Sequence, residues 1–265
     1  MLRLRLARCV IVAVTCWSWG SGSAQVPASA GAPPKVLLMV HQQMLPGKAG
    51  EREKFELETC RKFDELGIPV YWIETEAVTG SPGALFLDPA SSFEEMDRAG
   101  QVLGEAFGAH PELAQLQQEI EQRLANSKTV FAVRRDDLGS GVNRIDWSKA
   151  RYLRINVVSV RPGHEGDFAE ADRIRSRVQA DATWSVYEMD SGTSVPTFLV
   201  IEALGSLTDR DKESKAAGGK ESKELEQLVR DSYASVESNM YGLHPEMSHV
   251  SNKFAAGDPE FWRRK

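Results

Sequence analysis

The second half of this chain repeats the first, and that repetition restricts its folding more than any other feature. An apolar run from Val36 to Val40 leads into Leu45-Pro46-Gly47-Lys48, and Tyr152 to Val160 leads into Arg161-Pro162-Gly163-His164. A short β-prone run that ends at a Pro-Gly turn predicts a strand in each case. Behind each turn comes a stripe at helical spacing: Phe55, Thr59, Phe63 and Leu66 in the first half, and Phe168, Ala171, Ile174 and Val178 in the second. That periodicity predicts an amphipathic helix with one buried face.

Each half then offers a pair of strands. Trp72-Ile73-Glu74 and Leu85-Phe86-Leu87 correspond to Val186-Tyr187-Glu188 and Leu199-Val200-Ile201, and Glu74, Thr79, Pro82 and Leu85 align without a gap on Glu188, Thr193, Pro196 and Leu199. Ser92 and Ser206, each with an acidic residue three positions on, read as helix starts in which the side chains cap exposed backbone N–H groups. Helical faces follow at Leu113, Leu116, Ile120 and Leu124, and at Leu225, Leu228, Ser232 and Val236. A short apolar segment closes each half, Thr129 to Val133 and roughly Asn239 to Leu243. The order within each half, strand, helix, two strands, helices, strand, is the ferredoxin-like arrangement. The fold class is therefore α+β, with residues 35–147 as the first unit and 151–256 as the second. Residues 257–265 form a C-terminal tail whose Phe261 and Trp262 either dock on the chain's own barrel or contact another molecule.

The first 24 residues have a different purpose. Arg3, Arg5 and Arg8 precede an apolar stretch from Cys9 to Trp19 and the small residues Gly22-Ser23-Ala24, the layout of a secretory signal peptide. The expectation is cleavage after Ala24, with Ala28-Ser29-Ala30 as a second choice, a disordered leader over residues 25–34, and a periplasmic or extracellular location. The apolar stretch falls short of the roughly 20 residues a membrane span needs, so no span is expected after processing. Of three cysteines, Cys9 and Cys16 belong to the signal, which leaves Cys60 alone and excludes an intramolecular disulfide.

Processing also shifts the charge. The whole chain has 32 Lys and Arg against 38 Asp and Glu, and loss of the three signal arginines leaves 29 against 38. A nucleic-acid partner is excluded on this ground, since such binding rests on clustered cations that neutralise phosphates. The Lys-rich stretch from Lys212 to Lys223 is interleaved with Glu213 and Glu221 and reads as a solvated loop. His110 and His244 each precede Pro-Glu but fall at different places in the two halves, and no histidine has ligand spacing; neither metal nor cofactor is expected.

With these motifs in view, the chain resembles the dimeric α+β barrel superfamily, and within it a group of exported bacterial proteins with two tandem units. The resemblance spans roughly Lys35 to Phe254. It implies that two ferredoxin-like units pair their sheets within one chain, as a monomeric pseudo-dimer. Superfamily members include cofactor-free monooxygenases, haem-dependent chlorite dismutases and small-molecule isomerases, and fold alone does not choose among them.

Strand alternation nominates a pocket. Arg154 and Asn156 share one face of their strand, Trp184 and Glu188 one face of theirs, and Trp72 and Glu74 the matching face in the first half. If those faces turn inward, the barrel holds Trp72, Glu74, Arg154, Asn156, Trp184 and Glu188 around a small apolar or aromatic molecule, with Arg154 paired to Glu188. Because Arg154 and Asn156 stand where the first half has Leu38 and Val40, the second half is the expected seat. Three functions remain open: a small-molecule binder, an enzyme of monooxygenase or isomerase type with Glu74 or Glu188 as base, and a barrel filled by its own side chains.

Overall fold

The computed structural model describes residues 31–209 and 223–262, so the signal, most of the leader and nearly all of the Lys-rich stretch lie outside the described residues. The first half contributes β1 (Val36–Met44), α1 (Ala49–Leu66), β2 (Ile73–Ala77), β3 (Ala84–Ala90), α2 (Phe93–Ala109), α3 (Pro111–Glu121) and β4 (Leu124–Arg134). The second contributes β5 (Tyr152–Val160), α4 (Glu165–Val178), β6 (Ser185–Ser191), β7 (Thr197–Leu204), α5 (Lys223–Ser232) and β8 (Tyr233–Leu243). Two short helices, α6 (Asn252–Ala255) and α7 (Pro259–Trp262), end the described chain.

All eight strands join one closed barrel in the order β1-β3-β2-β8-β5-β7-β6-β4. Every pairing is antiparallel. The halves meet at two seams, β4 with β6 and β8 with β2. Both seams are short. β4 meets β6 only from Phe131 onward, and β8 meets β2 only at Tyr241–Leu243, although both strands run a further stretch alongside their own half. Among the described residues the barrel is thus laced at one end, while its staves part at the other.

The laced end is plugged. Trp147 and Trp262 join Leu37, Ile73, Leu153 and Tyr187 in the core inside the barrel. Trp262 donates its indole N–H to Ser148 O at 2.7 Å, and Arg151 lies 3.9 Å over the Phe261 ring and pairs with Asp258. The tail therefore docks on its own barrel. Residues 31–34, expected as part of a disordered leader, belong to the same plug: Pro34 O accepts from the Tyr187 hydroxyl at 2.8 Å, and Gly31 O accepts from Trp147 N.

Several local expectations need correction. Leu124 and Val236 continue helical stripes in the sequence, but α3 ends at Glu121 and α5 at Ser232, and both residues lie in strands. The closing strands are accordingly longer than their apolar segments, because their exposed starts carry polar side chains that hydropathy does not mark. The buried stripe of α1 consists of Arg52, Glu56, Cys60 and Phe63, not the Phe55-centred stripe. Phe55 is half-buried under the Arg123 guanidinium, 4.4 Å from its ring, and Leu66 is exposed. α2 begins as expected, with the Ser92 side chain accepting from Glu95 N at 3.2 Å while the Glu95 carboxylate accepts from Ser91 N at 2.7 Å.

Candidate functional site

The six residues nominated from strand alternation do share faces, but those faces turn outward to the helices. The inner face of β5 is Leu153 and Ile155, that of β2 is Ile73, and that of β6 is Tyr187, all in the barrel core. Apolar burial decides which way each strand turns, and it puts the charged set on the outer face of the barrel, where Glu74 is buried and Arg154 and Glu188 remain partly exposed. Arg154 is half-buried and bonds Glu202 on the neighbouring strand at 3.1 Å and Ser238 at 3.4 Å; Asn156 lies beside it, half-buried. Glu188 meets Arg135, at 2.9 Å. The expected Arg154–Glu188 bridge does not form, because each residue has a partner closer along its own face.

Trp184 is buried in the second half among Phe168, Val186 and Phe198 and donates to Asp172 at 2.8 Å. Trp72 packs edge-on against Phe63 with ring centres 5.0 Å apart and donates to Met247 O. Both tryptophans therefore serve packing.

Glu74 is the exception among the six. It is fully buried under α1 and pairs with the buried Arg52 at 2.8 Å, and the Arg52 guanidinium also lies 5.6 Å from the Phe86 ring centre. Glu56, one turn along α1, is buried beside them. Burial lifts the Glu74 carboxyl to about 8, outweighing Arg52 beside it, while Glu76 and Glu56 push the same way. Burial likewise lifts Glu56 to about 7 against the pull of Arg52, and Asp88, on the same sheet face, to about 7. Arg52 Nε, Glu74 Oε2 and Gln42 Oε1 are buried without a hydrogen-bond partner among the described residues. Such a layer disfavours two ionised carboxylates at once and can hold a proton near neutral pH.

A second site lies where the staves part. Beyond the packed core the barrel opens into a cavity of about 590 Å³ lined by Lys128 of β4, Val157 and Ser159 of β5, Met189 of β6, Thr197 of β7, and Ser235 and Glu237 of β8, with the Gly192–Val195 turn at its rim. Its size falls in the usual range for small-molecule sites. Gly192 holds that turn close: its φ is +89°, and a Cβ there would meet Thr129 O at 2.8 Å and a Val130 methyl at 2.7 Å. His41, opposite Lys128 on the neighbouring strand, has its pKa lowered by burial and then by the Lys128 charge. None of these lining residues was nominated in advance. Lys128 and Glu237 lie in polar strand starts, where nothing in the sequence signals that the seam stops short. Among the described residues no group of three or more His, Cys, Asp or Glu side chains is placed to hold a metal ion, and no helix is long and apolar enough to cross a membrane.

No protein-family model matches the sequence, and no curated protein matches it. The architecture has relatives among solved structures. A candidate monooxygenase from Fusobacterium nucleatum superposes with a TM-score of 0.53 at 10% identity, covering 78% of this chain and 91% of that one. An anthrone oxidase-like protein gives 0.51 at 15% identity, covering 79% and 90%, and a candidate monooxygenase from Lactobacillus acidophilus gives 0.50 at 8%, covering 78% and 93%. These neighbours are dimeric α+β barrel proteins of monooxygenase type. This chain has their fold. At such identities the likeness extends to the architecture and not to the chemistry.

Proposed function

We propose that the protein is an exported barrel, built as an internal pseudo-dimer of two ferredoxin-like units, that binds a small, partly apolar molecule in its open mouth. The observation that carries this reading is the asymmetry of the two ends: one is closed by Trp147, Trp262 and the docked tail, while the other opens into a cavity of about 590 Å³ with a packed floor. A barrel without a binding role gains nothing from parted seams, which leave strand edges exposed.

Titration of the purified protein with anilinonaphthalene sulfonate tests the reading. Fluorescence is expected to rise and saturate, and Val157→Trp, which fills the mouth, is expected to weaken that binding by at least about ten-fold with the circular dichroism spectrum unchanged. Equal binding by both proteins would overturn the proposal. A sizing column is expected to show one compact chain, and N-terminal sequencing of the exported protein to begin at Gln25.

A second reading, an enzyme of cofactor-free monooxygenase or isomerase type, rests on the barrel relatives described as candidate monooxygenases; the buried Glu74 and Glu56 lie under α1 on the helix-facing side of the barrel, not in its mouth. The barrel relative described as anthrone oxidase-like makes anthrone the first substrate to try. Oxygen uptake with anthrone that disappears in Val157→Trp supports this reading, and the absence of any uptake in the wild-type protein counts against it.

A further inference from the structure

We infer that the ligand of the barrel mouth is bipolar: a small molecule with an anionic group for Lys128, a cationic group for Glu237, and a short apolar spacer between them. This rests on the mouth-binding reading above and goes beyond it by naming the ligand's chemistry.

Strand parity sets which side chains face the cavity. Val130 and Ala132 face the barrel core on β4, so Lys128 turns the same way. On β8 the core residues are Tyr241 and Leu243, which puts Glu237 and Ser235 on the inner side, opposite Val157 and Ser159 of β5. Both charges line the cavity. In the barrel order, β4 and β8 are four strands apart in either direction. The two side chains, both exposed at the mouth, therefore stand on opposite walls, half the circumference apart, and neither forms an ion pair with another described residue.

The surface between them is neutral. Val157 and Met189 supply the apolar part, and Ser159, Thr197 and Ser235 supply hydroxyls. His41, opposite Lys128 across β1 and β4, is held toward its neutral form by burial and by that lysine. A ligand with one charge would satisfy one wall and leave the other charge unmatched, whereas a bipolar one of suitable length meets both. That difference gives selectivity. The competing explanation is that Lys128 and Glu237 simply keep exposed strand edges from pairing with other chains.

Calorimetric titration with four compounds of equal chain length separates the two: aminocaproate, adipate, hexamethylenediamine and caproamide. The wild-type protein is expected to bind aminocaproate at least about five-fold more tightly than the others, the scale of one partly exposed charge contact. Lys128→Glu is expected to shift preference to the diamine and Glu237→Lys to the diacid, and the double exchange K128E/E237K to restore aminocaproate. Thermal melts check that each variant folds. If anilinonaphthalene sulfonate fills the mouth but the four compounds bind alike, the bipolar assignment is wrong and the site stands. If neither the dye nor any of the four binds, the mouth reading fails and takes this inference with it.

Discussion

The two helix-facing layers of the barrel solve one packing problem with opposite chemistry. Five residues past the glycine of each Pro-Gly turn, the first half buries Arg52 and the second buries Phe168. Arg52 meets Glu74 and the Phe86 ring, whereas Phe168 stacks on Phe198 with ring centres 4.1 Å apart. Four residues further on, Glu56 and Asp172 are both buried. Asp172 is fully served by the Trp184 indole and by Gly139 N, at 2.8 and 2.7 Å, while Glu56 sits in a layer where Arg52 Nε and Glu74 Oε2 lack partners. Glu74 and Glu188 differ likewise, Glu74 fully buried and Glu188 with 43% of its side chain exposed. Equivalent positions thus hold a packed aromatic layer in one half and an incompletely satisfied charged layer in the other.

This contrast breaks most sharply on truncation. Phe168→Ala is expected to cost about 3–5 kcal/mol through a cavity, and Arg52→Ala a similar ~3–5 kcal/mol above pH 8, where the ionised Glu74 is left buried without its cation. Urea denaturation measures both, and a loss under 1 kcal/mol for Arg52→Ala would show that the ion pair is not desolvated in solution. The repair differs between halves. Replacing the pair together, Arg52→Met with Glu74→Leu, is expected to return stability to within about 1 kcal/mol of wild type or above it, because removing both charges removes the desolvation cost.

The pH dependence isolates the charged layer. Glu56 and Glu74 titrate higher in the folded protein than in the unfolded chain, so between roughly pH 4.5 and 8 the folded state holds more protons. Stability should therefore be greatest at the acidic side of that window and fall as pH rises through it. Glu56→Gln is expected to flatten the slope by about one proton, read from melts across that range. The smallest effect is expected at the surface pair Arg135–Glu188, where Arg135→Ala should cost no more than about 1 kcal/mol.

Legibility in the sequence follows the same division. The strands and the helix carrying Phe168 announce themselves because their buried faces are apolar at the right period. The helix carrying Arg52 reads one stripe out of register, since its buried face contains an arginine and a glutamate that no hydropathy count would place inside. Strand alternation groups Trp72 with Glu74 and Arg154 with Asn156 on shared faces, but whether a face turns inward or outward depends on all eight strands closing at once. The mouth was invisible for a related reason. Ser235, Glu237 and Lys128 read as solvent-facing polar residues and are exposed, and only the short seams bring them to a common cavity.

One consequence follows from the barrel being completed by a single chain. In an assembly of two identical subunits, any substitution in the gene appears twice, so a costly buried charge would burden both sides of the symmetry axis. Here Arg52 and Glu74 occur once, and the cost of burying them falls on one half while Phe168 and Trp184 pack the other. With both halves encoded separately in one chain, each can fill its helix-facing layer without imposing that chemistry on the other.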